Sequence, residues 1–316
     1  MKNYAINGLK KLHFTATSNP RSPSIYVAKT YGIEPQIYDE DDSPLASPQQ
    51  ESHIRSTVGI FRYWAEAVAP YLTCTISKIK QSKPTLLTVQ QETRLLNWIA
   101  NHPNSRIKFY PSDMQAYGVS DAAHNTEEGS KSRAAGIGTC GKPQFTSPDD
   151  PYKINGAFMV YSTRISHVTR TPHESEYAGV YILGARLLEV RETLKNLGHI
   201  QLPTELSTDN KWASSLANGT MKKQKNSKVT VLEFHWIQDR IKRKEFITTW
   251  IKGQSNLADY PSKLHPVNHF TKMIATLCDI KPRRSLSPSP RKLQFSPNIE
   301  FIPDSTNHSN HIQSDQ

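Results

Sequence analysis

Cysteine is scarce in this chain: three occur in 316 residues, at positions 74, 140 and 278. An odd number at such wide spacing excludes a thiolate metal cluster and points to a reducing, intracellular setting. Long apolar runs are missing too. No stretch of 18 or more apolar residues occurs, so no membrane span is expected. The opening stretch Met1–Lys10 is too poor in apolar side chains to serve as a secretory signal. Hydrophobic content is low at 36%, and the 21 prolines gather at both ends. The packed part is therefore expected to be smaller than the whole, as one large domain or two modest ones.

Negative charge is in deficit. The formal net charge is +11, which favours polyanionic partners without naming one. The excess concentrates between residues 219 and 245, where Lys222, Lys223, Lys225, Lys228, Arg240, Lys242, Arg243 and Lys244 face only Glu233, Asp239 and Glu245. Such a run reads either as a solvated helix face or as a track for a nucleic-acid phosphate backbone, and an expected position beside an acidic pocket, with Asp209 and Asp259 flanking it in sequence, favours the track.

Residues 14–50 are rich in Pro, Ser and Thr and carry the acidic patch Asp39–Asp42, which reads as an irregular surface segment. Apolar spacing turns helical at Ile54, Val58, Phe61, Trp64 and Val68, until Pro70 breaks the run. A second helix is expected through Tyr71, Leu72, Ile76 and Ile79. A third follows Pro84, with Leu87, Gln91, Leu95 and Trp98 on its apolar face. Strands are then expected at Arg106–Tyr110, at Ala116–Ser120 ending on Asp121, and at 133–140 and 156–169. Thr171-Pro172-His173-Glu174 is an N-cap, a helix-starting proline and a returning capping-box Glu. It opens a helix with Leu183, Leu187, Val190, Leu194 and Leu197 as its stripe and Gly198 as its stop. A strand at Thr204–Thr208, a short helix to Gly219, a helix over 228–242, a strand at 246–251 and a helical turn beyond Asn256 complete the pattern. This order implies an α/β architecture, a mixed sheet covered by helices. From about Lys281 the Ser-Pro and basic content reads as a disordered tail.

Four acidic residues stand out: Asp121, Glu176, Asp209 and Asp259. Three have local alternatives, since Asp121 can open a turn, Asp209 can cap a helix and Asp259 can partner Asn256 in a cap. Glu176 has none, because Glu174 already serves the capping box. Brought together, the four would form a pocket of hard oxygen ligands suited to Mg²⁺ and phosphodiester cleavage. Four anions at close range need cations to neutralise them, and two Mg²⁺ ions about 4 Å apart would do so. Asp39, Asp41 and Asp42 are dense but lack an apolar strand to fix them.

Six motifs follow one another along the chain: Ser120-Asp121-Ala122-Ala123, Lys131-Ser132-Arg133-Ala134-Ala135-Gly136, Glu174-Ser175-Glu176-Tyr177, Thr208-Asp209-Asn210, Phe234-His235-Trp236-Ile237 and Asn256-Leu257-Ala258-Asp259-Tyr260-Pro261-Ser262-Lys263. In this order they resemble the ribonuclease H domain of copia-type retrotransposon polyproteins. The stretch Ile54–Ala65 is similar to the segment between reverse transcriptase and ribonuclease H in those polyproteins. The resemblance implies a ribonuclease H-like mixed five-stranded sheet flanked by helices, preceded by a small helical segment. It divides the chain into an irregular reverse-transcriptase remnant over 1–51, a helical connection over 52–105, the nuclease domain over 106–270 and a disordered basic Ser/Pro-rich tail over 271–316.

The resemblance further implies an endoribonuclease that cuts the RNA strand of an RNA–DNA hybrid with two Mg²⁺ ions, Mn²⁺ being a substitute. Asp121, Glu176 and Asp209 would hold the ion at the leaving oxygen, and Asp121 and Asp259 the ion that generates hydroxide. An upstream reverse transcriptase is the implied protein partner, with no membrane and no organic cofactor, in a cytoplasmic particle or the nucleus. The polymerase Tyr-x-Asp-Asp signature is absent, because Tyr38 is followed by Asp39-Glu40-Asp41, so no DNA synthesis is expected of this chain alone. Two features depart from the usual ribonuclease H pattern, the first of them common to copia-type domains. Trp250–Ser255 lacks the histidine that cellular ribonucleases H carry before the last Asp, and Pro261 follows Asp259 closely. Two other readings compete: a decayed or domesticated element that binds nucleic acid without cutting it, and a nuclease or integrase of the same topology acting on duplex DNA.

Overall fold

Runs of small and β-branched residues pair into one mixed sheet. Its strands are β1 (Ala116–Glu127), β2 (Lys131–Cys140), β3 (Met159–Arg164), β4 (Thr204–Thr208) and β5 (Phe246–Trp250). The order across the sheet is β3-β2-β1-β4-β5. β1 pairs antiparallel with β2 and β2 with β3, while β1 with β4 and β4 with β5 are parallel. The helices are α1 (Lys2–Lys11), α2 (Pro48–Val68), α3 (Thr73–Ile79), α4 (Leu86–Asn101), α5 (Pro172–Asn196), α6 (Lys211–Ala217), α7 (Lys228–Lys242), α8 (Asp259–Ser262) and α9 (Val267–Leu277). This computed structural model describes residues 1–28, 41–80, 83–143, 154–219 and 228–278, all within the unit Met1–Lys281. The acidic patch at 39–40, the tail beyond 278 and Lys222, Lys223 and Lys225 lie outside the described residues.

Strand alternation divides the core in two. One face carries Ala134, Tyr161, Leu206 and Phe246 against Leu183 and Leu187 of α5, Leu216 of α6 and Ile237 of α7. The opposite face carries Tyr117, Val119, Ile137 and Val160 against the amino-terminal helices and α8–α9, with Phe61, Trp64, Leu72, Leu95 and Phe270 in the same cluster. Gly118 is required where α5 crosses β1, because a Cβ there would come within 2.4 Å of Leu187 Cδ1.

The mixed five-stranded sheet and the preceding helices match expectation; several local readings do not. Arg106–Tyr110 is not a strand. The backbone N–H and C=O of Tyr110 are taken by the side-chain amide of Asn155, at 2.6 and 2.9 Å, and Phe109 is exposed. β1 does not end at Asp121 but runs on to Glu127, where Glu127 pairs with Lys131. The apolar face of α4 is rotated from the expected one. Leu87 is exposed, whereas Thr88, Glu92, Leu95, Leu96, Trp98 and Ile99 are buried, and Glu92 is satisfied by Thr57 and His53 at 2.5 and 2.9 Å. Residues 2–11 form a helix within the segment read as irregular. α2 starts at Pro48, under a Ser47–Gln50 capping box. α9 carries packed residues past the expected boundary at 270, burying Ile274 and Leu277. In α5 the leucine stripe holds at Leu183, Leu187 and Leu194, while Leu197 is exposed.

Candidate metal centre

Each acid reaches the site by a different local route. Asp121 lies within β1, and alternation turns its side chain to the face opposite α5. Glu176 lies in the first turns of α5. Thr171 caps that helix by accepting from the Glu174 N–H, and the Glu174 carboxylate accepts from the Arg170 N–H at 2.7 Å, one residue before the expected capping-box position. Glu176 is thereby left without a capping duty. Asp209 follows β4. The N-cap of α6 is its neighbour Asn210, whose side chain accepts from the Ala213 N–H at 3.0 Å, so Asp209 is released from capping. Asp259 opens α8, where Pro261 is tolerated in the first turn.

Asp121, Glu176 and Asp209 converge: one carboxylate oxygen from each lies within 4.8 Å of the others. Asp259 is close enough for its charge to act on Asp121 and Asp209, but its carboxylate is directed to a salt bridge with Lys263. Its own grouping of ligand atoms is with His265 and His269. His265 donates from Nε2 to the Asp259 carbonyl at 2.9 Å and stacks on Tyr260. Burial holds the His265 pKa down at about 4.

The electrostatics are those of crowded, desolvated carboxylates. Burial, then the charge of Asp259, raises the Asp121 pKa to about 6. Burial, then Asp121 and Asp209, pushes Glu176 well up, although it accepts from the Ala122 N–H. Burial also raises Asp209. Glu176 Oε2 is buried and has no hydrogen-bond partner among the described residues. An orphaned carboxylate oxygen facing two more carboxylates is costly unless a cation completes it. This donor set fits a hard divalent ion.

Two residues with no site role assigned from sequence support the cluster. Asn256 donates to the Ser120 carbonyl at 3.1 Å and lies 3.4 Å from Asp121 Oδ1; its own oxygen accepts from the Ala258 N–H. Lys263 sets its charge against Asp259, Asp121 and Asp209. Both stand in the motif around Asp259, where their local contacts to Ala258 and Asp259 lie; their reach to Ser120, Asp121 and Asp209 depends on the tertiary fold.

The basic run is placed differently from expectation. α7 runs back from the site end of the sheet, so Arg240–Lys244 precede β5 beside the start of β4, where Thr204 pairs with Phe246. Asp209 follows the other end of β4. Five residues at about 3.3 Å each separate the two. Arg240 stacks on Trp236 and pairs with Glu245 at 3.1 Å, and Arg243 pairs with Asp239 at 2.9 Å. Lys242 and Lys244 are exposed. Lys228 begins α7 at the site end.

No protein-family model and no curated protein match the chain. Among solved structures it is similar to LC11-RNase H1, isolated from compost by a metagenomic approach, at 13% identity and a TM-score of 0.34 over 47% of this chain and 92% of that one. It is similar to the N-terminal RNase H domain of a Mycobacterium tuberculosis protein fused to maltose-binding protein, at 13% identity and a TM-score of 0.31 over 51% and 97%. A third is the solution structure of the PFV RNase H domain, at 15% identity and a TM-score of 0.28 over 52% and 90%. The chemistry of this chain has to come from its own residues.

Proposed function

We propose that the chain is a ribonuclease H that cleaves the RNA strand of RNA–DNA hybrids, derived from the carboxy-terminal part of a copia-type pol polyprotein. The observation that carries this reading is the convergence of Asp121, Glu176 and Asp209 around the unpartnered Glu176 Oε2. These three arrive from a strand, a helix and a strand end, in the order and motifs that resemble that family. Asp121, Glu176 and Asp209 would hold one divalent ion, and Asp121 with Asp259 a second; Mg²⁺ is favoured and Mn²⁺ is a substitute. Bound there, the ions supply Lewis-acid activation of water and stabilisation of the phosphoryl charge.

The protein's own residues do the rest. Glu176 and Asp121 are held rigidly, one through the Ala122 N–H and the other through Asn256. Fixed oxygens at this spacing orient a phosphodiester without reorganisation during the reaction. Lys263 offsets part of the negative charge that would repel a phosphate. Discrimination of the RNA strand would come from its 2′-hydroxyls. An upstream reverse transcriptase as partner belongs to the same proposal.

Replacing Asp209 with Asn removes one charged ligand while keeping its size. The variant is expected to bind a labelled hybrid and to cut it at least a hundredfold more slowly; cleavage at the wild-type rate would refute the assignment. A reading as a non-cutting nucleic-acid binder draws on one observation, the salt bridge that ties Asp259 to Lys263. A chain that binds hybrid but never cuts it with Mg²⁺ or Mn²⁺ would decide for that reading.

A further inference from the structure

A cavity of about 320 Å³ opens between α2–α3 and the β2–β3 edge of the sheet. Its lining includes the six cations Arg62, Lys78, Lys80, Arg133, Arg164 and Arg186, against Glu66, Glu127 and Glu128. The pairing inside it is uneven. Arg62 is matched by Glu66 at 2.9 Å. Glu127 is shared, accepting from Arg133 at 2.7 and 2.8 Å and from Lys78 at 3.2 Å. Lys80, Arg164 and Arg186 have no carboxylate partner among the described residues; Arg186 lies 4.5 Å above the Tyr161 ring. Ser77 and Ser162 both accept from the buried Arg133 guanidinium, so the cavity floor is a fixed cation rather than a mobile one.

The acids of the cluster do not line the cavity, but its floor is near Asp121 in the sheet. Asp121 faces Ala135 and Ala123 faces Arg133 across the β1–β2 ladder. Alternation puts Asp121 and Arg133 on the same face of adjacent strands, as diagonal neighbours about 7–8 Å apart. A polyanion lying over the acids would meet this basic hollow next. Small apolar ligands are excluded by the charged lining, and a lone cation by its sign.

We infer that this cavity is a phosphate-binding subsite, holding the sugar–phosphate backbone of the nucleic-acid substrate on the side of the acid cluster toward α3. The inference deepens the nuclease reading and rests on it for the identity of the strand. Lys80, Arg164 and Arg186 grip the phosphates, and Arg133 fixes the floor between them.

The test is fluorescence anisotropy of a labelled RNA–DNA hybrid in EDTA, using the full 316-residue chain and the triple variant Lys80→Ala, Arg164→Ala, Arg186→Ala. All three residues are exposed, so circular dichroism and melting are expected to match wild type. The dissociation constant is expected to rise at least tenfold, and the log–log salt slope to become shallower by about two to three, roughly one for each phosphate no longer neutralised. Lysine at positions 164 and 186, with Lys80 kept, is expected to restore most of the affinity. Unchanged affinity and slope in the alanine variant overturn the subsite. So does inorganic pyrophosphate that binds the cavity without displacing the hybrid, since the cavity then takes free phosphate instead of a strand. The nuclease reading fails separately: if the chain never cuts but the triple variant loses affinity and slope as stated, the subsite stands and the cleavage assignment falls.

Discussion

Asn256 ties the segment before α8 to the strand that carries Asp121. Its side-chain nitrogen lies 3.1 Å from the Ser120 carbonyl and 3.4 Å from Asp121 Oδ1, and the residue is buried. This one amide spans 135 positions of sequence and brings Asp259 within electrostatic reach of the other acids. Asn256→Ala leaves the Ser120 carbonyl and the Ala258 N–H without their partner. Each unsatisfied buried group costs about 1–3 kcal/mol, so urea denaturation is expected to show a loss of that order, with cleavage falling as well. A variant as stable and active as wild type would remove Asn256 from the site.

Asp121 keeps its proton to about pH 6 in the folded chain, against an ordinary value of 3.8. Between those values the folded state binds more protons than the unfolded one, so stability of the ion-free protein falls as pH rises through the window and is unaffected by this group below it. Glu176 and Asp209 shift in the same direction. A divalent ion requires the deprotonated forms, so its affinity is expected to climb with pH through about 6, where Asp121 loses its proton. Calorimetric titration with Mg²⁺ or Mn²⁺ across that range checks the sign; affinity independent of pH would contradict it.

Lys263 supplies the positive charge nearest Asp259. Lys263→Met removes it and leaves the carboxylates to repel one another. The ion-free protein is expected to melt lower at neutral pH, while divalent-ion affinity rises several-fold because a competing cation is gone. Opposite shifts in melting temperature and affinity are the signature. A parallel loss of both would make Lys263 a purely structural residue.

Arg133 is almost completely buried and grips Glu127 through two hydrogen bonds. Arg133→Met leaves the Glu127 carboxylate in a poorly solvated position with Lys78, at 3.2 Å, as its remaining cation. Breaking such a pair from one side costs about 3–5 kcal/mol, to be read from chemical denaturation. Arg133→Met together with Glu127→Gln is expected to recover part of the loss, since the buried carboxylate is gone and Lys78, which loses it as a partner, is more exposed.

Much of this arrangement was legible in sequence because its signals are local. The Thr171–Glu174 start of α5, its leucines and Gly198 lie within one segment. So do the strand Thr204–Thr208 and the helix over 228–242, whose ends match β4 and α7. Asp209 reads as a helix cap until Asn210 is seen to take that role. What escaped depends on contacts between distant segments. Asn155 diverts the backbone at Tyr110 from 45 positions away, and Arg133 reaches Ser77 across 56. The basic run looked adjacent to the acids because the direction of α7 against β5 is set by tertiary packing, which puts Arg240–Lys244 at the far end of the sheet. His265 and His269 gather beside Asp259 only once α8 and α9 fold against each other.

If three converging carboxylates make this chain a hybrid-specific nuclease, strand-resolved cleavage will show it. A hybrid labelled separately on its RNA and DNA strands is incubated with the full chain, in Mg²⁺ or in EDTA, beside a DNA duplex of the same sequence. Cutting of the RNA strand alone is expected, with Mg²⁺ and not with EDTA. Cutting of the DNA strand or of the duplex, or RNA cleavage that persists in EDTA, would contradict it.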